Sequence, residues 1–180
     1  MGKAKDPKRV AAGIKSRRKG ANFERAVAKD FRSWLGIGCR RTPMSGAYGE
    51  EWNLGGDLMF DRPVPWFVEL KRREGWRLES FFTDNCGSAL AFKWATKAKD
   101  EAFASGKVPL VIFAKNYTTS FVMVPERHIV GDLKIGISWF SRYMLINGWL
   151  ITSLKEFMRV VDPELVVDLT TTVLAGGTNV

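Results

Sequence analysis

The run Trp66-Phe67-Val68-Glu69-Leu70-Lys71 constrains this chain most. Aromatic and branched side chains suit a pleated, half-buried surface, so Trp66 to Leu70 is expected to form a strand. Side chains alternate across a strand, which puts Glu69 and Lys71 on one face. A carboxylate and an ammonium thus arrive together at the end of an apolar strand. Upstream, Gly56-Asp57-Leu58 opens a short strand, Leu58 to Phe60, and Asp61-Arg62-Pro63 reads as a turn. If the two strands pair as a hairpin, Asp57, Glu69 and Lys71 meet at one end of a sheet. The competing reading is a solvated salt-bridge ladder, because Arg72 and Arg73 extend the charge run. The apolar character of Trp66 to Val68 weighs against it.

The rest of the chain supplies partners for such a sheet. Phe23, Ala26, Val27, Phe31 and Trp34 recur at helical spacing, predicting a helix over Ala21 to Leu35. Asn22 is its expected N-cap, and Gly36 and Gly38 end it. Glu24 lies about 100° round from Phe23, at the edge of the apolar stripe. Cys39 to Thr42 is a further strand, and Pro43 to Gly56 a glycine-rich loop. A second helix is expected over Ala89 to Ala104, with Phe92, Ala95, Thr96, Ala102 and Phe103 inward. Pro109 to Ala114 reads as a strand buried on both faces, with Phe121 to Val124 beside it. Ser153-Leu-Lys-Glu156 fits a capping box that starts a last helix. The order predicts one α/β or α+β domain with a small central mixed sheet flanked by helices.

Composition narrows the function. A chain of 180 residues suits a single domain with a real core. No apolar run is long enough to suggest a membrane span, and no secretory leader is visible, so an intracellular site is expected: the cytoplasm, including that of a virus-infected host cell. Cys39, Cys86 and His128 are the only cysteines and histidine, too few for a structural zinc site or a disulfide framework. The net charge of +9 sits at the N-terminal end: residues 1–20 hold eight basic residues against Asp6, whereas residues 74–180 balance. Residues 1–18 are therefore expected to be a flexible basic arm that neutralises phosphates, the bland alternative being a solvated tail. Nucleotide-triphosphate and dinucleotide fingerprints are absent.

Two carboxylates on rigid elements can hold a hard cation, with sites left for water and a phosphate oxygen. Asp57 and Glu69 are the expected ligands of Mg²⁺, for which Mn²⁺ could substitute, and the backbone carbonyl of Leu70 is a further one. Lys71 would orient the attacking water, stabilise charge on the phosphate, or serve as base.

These residues resemble the PD-(D/E)XK nuclease superfamily, and more narrowly the archaeal-type Holliday junction resolvases and their viral relatives. The resemblance covers roughly residues 19–115. Lys19-Gly-Ala-Asn22-Phe-Glu24-Arg25 is similar to the family's opening motif, which implies that Glu24 supports the metal site and Arg25 contacts DNA. Arg41-Thr-Pro-Met-Ser45-Gly46 is similar to a segment whose Arg and Ser act in junction binding and cleavage. Asp57 and Glu69-Leu70-Lys71 take the places of the motif's Asp and Glu-x-Lys, and Gly56 stands where the family nominally has Pro. The resemblance implies a restriction-endonuclease-like core over residues 19–125 and a metal-dependent endonuclease acting on branched DNA as a homodimer. Glu24, Asp57, Glu69 and Lys71 would be catalytic, and Lys19, Arg25, Arg41, Ser45, Arg72 and Arg73 would contact DNA. Residues 126–180 lie beyond the match, as an extension packed on the core or forming the dimer interface, with Trp139, Phe140, Tyr143 and Trp149 its apolar surplus. For Glu24 a plain surface salt bridge is the alternative, and for Ser45 a turn. Trp94, Lys93 and Lys97 on the second helix line the DNA face, or else pack and solvate. Trp76, Phe81 and Phe82 stack on bases or belong to the core.

Overall fold

A computed structural model describes residues 7–43, 56–83 and 85–167. Its elements are α1 (Pro7–Leu35), β1 (Cys39–Arg41), β2 (Leu58–Phe60), β3 (Trp66–Arg72), α2 (Leu90–Ala104), β4 (Val108–Ala114), β5 (Phe121–Pro125), β6 (Tyr143–Ile146), β7 (Trp149–Ser153) and α3 (Leu154–Val160). Five strands form one mixed sheet in the order β3-β4-β5-β7-β6, parallel only between β3 and β4. β1 and β2 pair antiparallel as a separate ribbon. This is the α+β architecture expected of a restriction-endonuclease-like core.

Alternation along the strands divides the interior into two layers. Trp66, Val68 and Leu70 of β3, with Leu110 and Ile112 of β4, pack with α1 and α3. Phe67, Val111 and Phe113 face the other way, toward α2, Trp76 and Phe81. Phe31 of α1 and Trp66 are fully buried, each burial being worth roughly 1.5–3 kcal/mol or more. Trp34 stacks on Trp66 with centroids 5.8 Å apart. Glu69 and Lys71 share the parity of Phe67, so the charged end of β3 lies on the α2 side.

Several expectations are corrected. α1 begins at Pro7 rather than Ala21, so Asn22 is a mid-helix residue and not a cap; its side chain accepts from Arg25 at 2.7 Å. The local reason is that, Gly13 and Gly20 apart, residues 8–20 are largely good helix formers despite their like charge. Ala26 is exposed, and Ala28 takes the buried position. On α2 the inner face is Ala91, Phe92, Ala95, Ala98 and Ala102, whereas Thr96 and Phe103 are exposed, because the stripe drifts by one residue. Trp76 and Phe81 are core residues, and Phe82 is exposed. β6 and β7 were not anticipated. They extend the main sheet beyond β5, so this part of residues 126–180 is continuous with the core. Ser153 does cap α3, accepting from Glu156 N–H at 3.1 Å, but the Glu156 carboxylate turns to Ser141 and Arg159 instead of closing the box.

Candidate active site

β3 is an edge strand, and its outer side is where the acids converge. Residues 56 and 57 reach it by one parallel bridge, Gly56 to Val68, not as the expected hairpin, because β2 pairs with β1. Asp57 N–H donates to the Val68 carbonyl at 2.7 Å, and Leu70 N–H donates to Asp57 Oδ2 at 2.8 Å. The Leu70 peptide therefore faces the Asp57 side. Within a strand a residue's N–H and C=O point the same way, so the Leu70 carbonyl faces that side too.

Two residues make this approach possible. Gly56 has φ +90°, and a Cβ there would lie 2.2 Å from the Val68 carbonyl oxygen. Proline, fixed near φ −65°, could not occupy this backbone, which accounts for glycine in place of the family's nominal Pro. Thr42 is buried at the end of β1; its hydroxyl donates to the Gly56 carbonyl at 2.8 Å and its N–H to the Asp57 carbonyl at 2.9 Å. Sequence reasoning missed Thr42, whose signal is a polar residue buried among core positions.

Glu69 is 7% exposed, and its carboxylate is in contact with the Lys71 ammonium. Burial pushes the Glu69 carboxyl above the usual carboxylate range, the nearby charge of Asp57 adds to that, and Lys71 opposes it. A cation between the two acids would relieve this repulsion. The oxygen-only donor set suits a hard dication, and Mg²⁺ is commonly held by only one or two carboxylates. Among the described residues no group of three or more His, Cys, Asp or Glu side chains is placed to hold a metal. Asp57, Glu69 and the Leu70 carbonyl are the groups that could.

Glu24 is not drawn into this pair. Its carboxylate is in contact with the Arg41 guanidinium, so the two expected functional residues engage each other. They remain close to the acids through the ribbon, since Arg41 pairs with Leu58 and the next residue, Thr42, holds Asp57. Arg72 donates to Asn116 at 3.2 Å and lies over the Phe23 ring, 5.7 Å from its centroid. Arg73, Lys19 and Arg25 are exposed. Ser45 lies outside the described residues.

The second helix brings a further pair. Lys97 and Glu101 of α2 form an ion pair at 3.2 Å. Glu101 chiefly, with Glu69 and Asp57 at longer range, holds the Lys97 ammonium above its usual range, and Glu101 in turn adds to the upward push on Glu69. The face of the site that carries Glu69 and Lys71 is thus flanked by α2. His128 is remote from this cluster: it is buried, accepting from Trp66 Nε1 at 2.9 Å and lying 2.7 Å from Asp132.

Residues 15–168 match the family described as phage putative PDDEXK endonuclease. No curated protein and no solved structure gives a significant match. No helix among the described residues is long and apolar enough to cross a membrane.

Proposed function

The chain belongs to the phage PDDEXK endonuclease family, and from that premise we propose that it is a metal-dependent, structure-specific DNA endonuclease acting on four-way junctions. The observation that carries the proposal is the convergence of Asp57, Glu69 and Lys71 at the outer edge of β3. Mg²⁺, or Mn²⁺ in its place, held by Asp57, Glu69 and the Leu70 carbonyl, would supply an acidified water and charge stabilisation at the phosphate. Leu70 N–H fixes the Asp57 carboxylate by hydrogen bonding, so it needs little reorganisation on loading. Lys71 places an ammonium beside the acids, where it can orient the attacking water and offset charge on the phosphate. Glu24 supports the site from α1, exchanging its contact with Arg41 when DNA draws the guanidinium away. Arg41, Arg72 and Arg73, with Lys19 and Ser45, contact the DNA that is cut, and Arg25 contacts DNA from the outer face of α1.

A junction presents two equivalent strands, and the one carboxylate cluster among the described residues of each chain suits one cut each, so the acting species is a homodimer. The exposed Trp139 and Tyr143 support an interface on the part of the chain beyond β5. The test is cleavage of matched duplex, flap and four-way junction DNA with Mg²⁺, with and without EDTA. Paired nicks on the junction, far exceeding duplex cutting, are expected. Equal cutting of all substrates would favour a general nicking or repair nuclease, and binding without cutting would favour a DNA-binding module. One chain per junction at full activity, by mass measurement, would remove the dimer.

A further inference from the structure

We infer that the outer face of α1 is a second duplex-binding surface, separate from the acid cluster, so that the protein holds two DNA segments at once. This rests on the proposal that the chain acts on DNA. At about 100° per residue, Lys15, Arg18, Arg25, Lys29 and Arg32 fall within an arc of about 100°. Phe23, Val27 and Phe31, the buried face, lie roughly opposite. All five basic residues are exposed. The two acids of α1 are off the stripe: Glu24 is turned inward to Arg41, and Asp30 lies to one side. Among the described residues Lys15, Arg18 and Lys29 make no ion pair, and Arg25 and Arg32 bond only to neutral oxygens, Asn22 Oδ1 and the Cys39 carbonyl, each at 2.7 Å.

Because α1 is one continuous helix from Pro7, these charges form a straight rail about 25 Å long, at 1.5 Å per residue. Phosphates follow each other every ~3.4 Å along one DNA strand, so such a rail can follow a duplex backbone over several of them. It cannot serve the duplex that is cut. Glu24 and the β3 edge lie against the inner side of α1, and a helix with its side chains is about 10–12 Å across, so the rail points away from the cluster. Positive charge over this length, offset only in part by Asp30 beside Lys29, matches polyanionic duplex, and two such surfaces on one chain match the diverging arms of branched DNA.

The test is a bridging assay in EDTA, where no cutting occurs. Two linear duplexes carrying a donor and an acceptor fluorophore are mixed with the full chain, and energy transfer reports that both are held. Single-duplex binding is read by anisotropy on the same samples. The wild type is expected to give transfer. Lys15→Gln/Arg18→Gln/Lys29→Gln is expected to lose most of it while still binding one duplex, with the salt slope of total binding shallower by about 0.9 per charge that had met a phosphate. The substituted side chains are exposed, and an unchanged thermal midpoint would verify the fold. A variant that bridges as well as the wild type overturns the inference, as does bridging that falls only in proportion to single-duplex binding. A wild type that binds one duplex but never bridges defeats this inference alone. Failure to bind any DNA would also remove the proposed function.

Discussion

Asp57 Oδ2 accepts the backbone N–H of Leu70 at 2.8 Å, so one candidate ligand is fixed by the strand that carries the other, Glu69. Asparagine keeps an acceptor for that N–H but loses the charge. Asp57→Asn should leave the fold and DNA binding nearly intact while lowering cleavage by on the order of 10²–10³-fold. Asp57→Ala should in addition lose about 1 kcal/mol of stability with the hydrogen bond. Thermal unfolding and cleavage of the two variants side by side test this; equal cleavage by Asp57→Asn and wild type would sink the metal site.

Glu69 should show a conflict between stability and activity. Its carboxyl is pushed up by burial first and by Asp57 second, with Lys71 opposing, so ionising it costs more in the folded chain than in the unfolded one. Stability from this group is present at low pH and is lost as pH rises through the raised folded value. Glu69→Gln should therefore unfold at a higher temperature than wild type at neutral pH in EDTA, by a few degrees if the gain is about 1 kcal/mol. The same variant should fail to cleave. A lower midpoint would mean that the lost contact with Lys71 outweighs the relieved burial.

How much of this was legible in the sequence follows from the range of each interaction. The Glu69 and Lys71 face was readable because strand alternation is local, and the buried β4 because its apolar run is unbroken. The approach of Asp57 was readable as a neighbourhood but not as a geometry. A hairpin and a single bridge share the same spacing, and only the pairing of β2 with β1 decides between them. Thr42 was missed because its role depends on contacts across the fold; Lys97 was readable on the second helix, with Glu101 one turn on, but its nearness to Glu69 and Asp57 depends on packing that no local pattern marks. The helix before Ala21 was missed because the apolar stripe stops there. Periodicity reports burial, and the described side chains from Ala11 to Lys19 are exposed on a helix that continues without it.

Gly56→Ala should be costly out of proportion to its size. The backbone there has φ +90°, and the new Cβ would meet the Val68 carbonyl at 2.2 Å. Either the bridge opens or the backbone is strained, a cost of about 1–3 kcal/mol. Both outcomes shift Asp57, so cleavage should fall together with the unfolding temperature. Thr42→Val, which removes only the hydroxyl bond to the Gly56 carbonyl, should cost about 1 kcal/mol and reduce cleavage less. Cleavage at the wild-type rate by the Gly56→Ala variant would show that Asp57 does not depend on this close approach.

Lys97 should affect the site without belonging to the acid pair. Its ammonium is held by Glu101 and feels Glu69 and Asp57, so it offsets part of the negative charge there. Lys97→Gln should weaken substrate binding at the site more than it slows bound substrate, raising KM by several-fold with kcat changed less. Lys97→Arg should recover most of the loss. Identical kinetics for wild type and Lys97→Gln would mark this lysine as a solvated surface charge.

His128 gives the fold an acid limit of its own. Burial pulls its imidazole below the usual 6.5, and the contact with Asp132 opposes that only in part. The folded state thus prefers the neutral ring, whose Nε2 accepts from Trp66 Nε1 and whose Nδ1 is left to donate to Asp132. In the unfolded chain the ring takes a proton near 6.5, so the stability contributed by His128 is present above that pH and is lost as pH falls below it. Protonation would also remove the acceptor from Trp66, a residue at the centre of the larger core layer. His128→Gln, which offers an uncharged acceptor, should flatten the fall in unfolding temperature between about pH 7 and pH 5, where an unperturbed histidine titrates. Asp132→Asn should steepen it, because the attraction that partly offsets burial is gone. Parallel pH profiles for wild type and His128→Gln would show that the ring titrates alike in the folded and unfolded chain, and would rule this out.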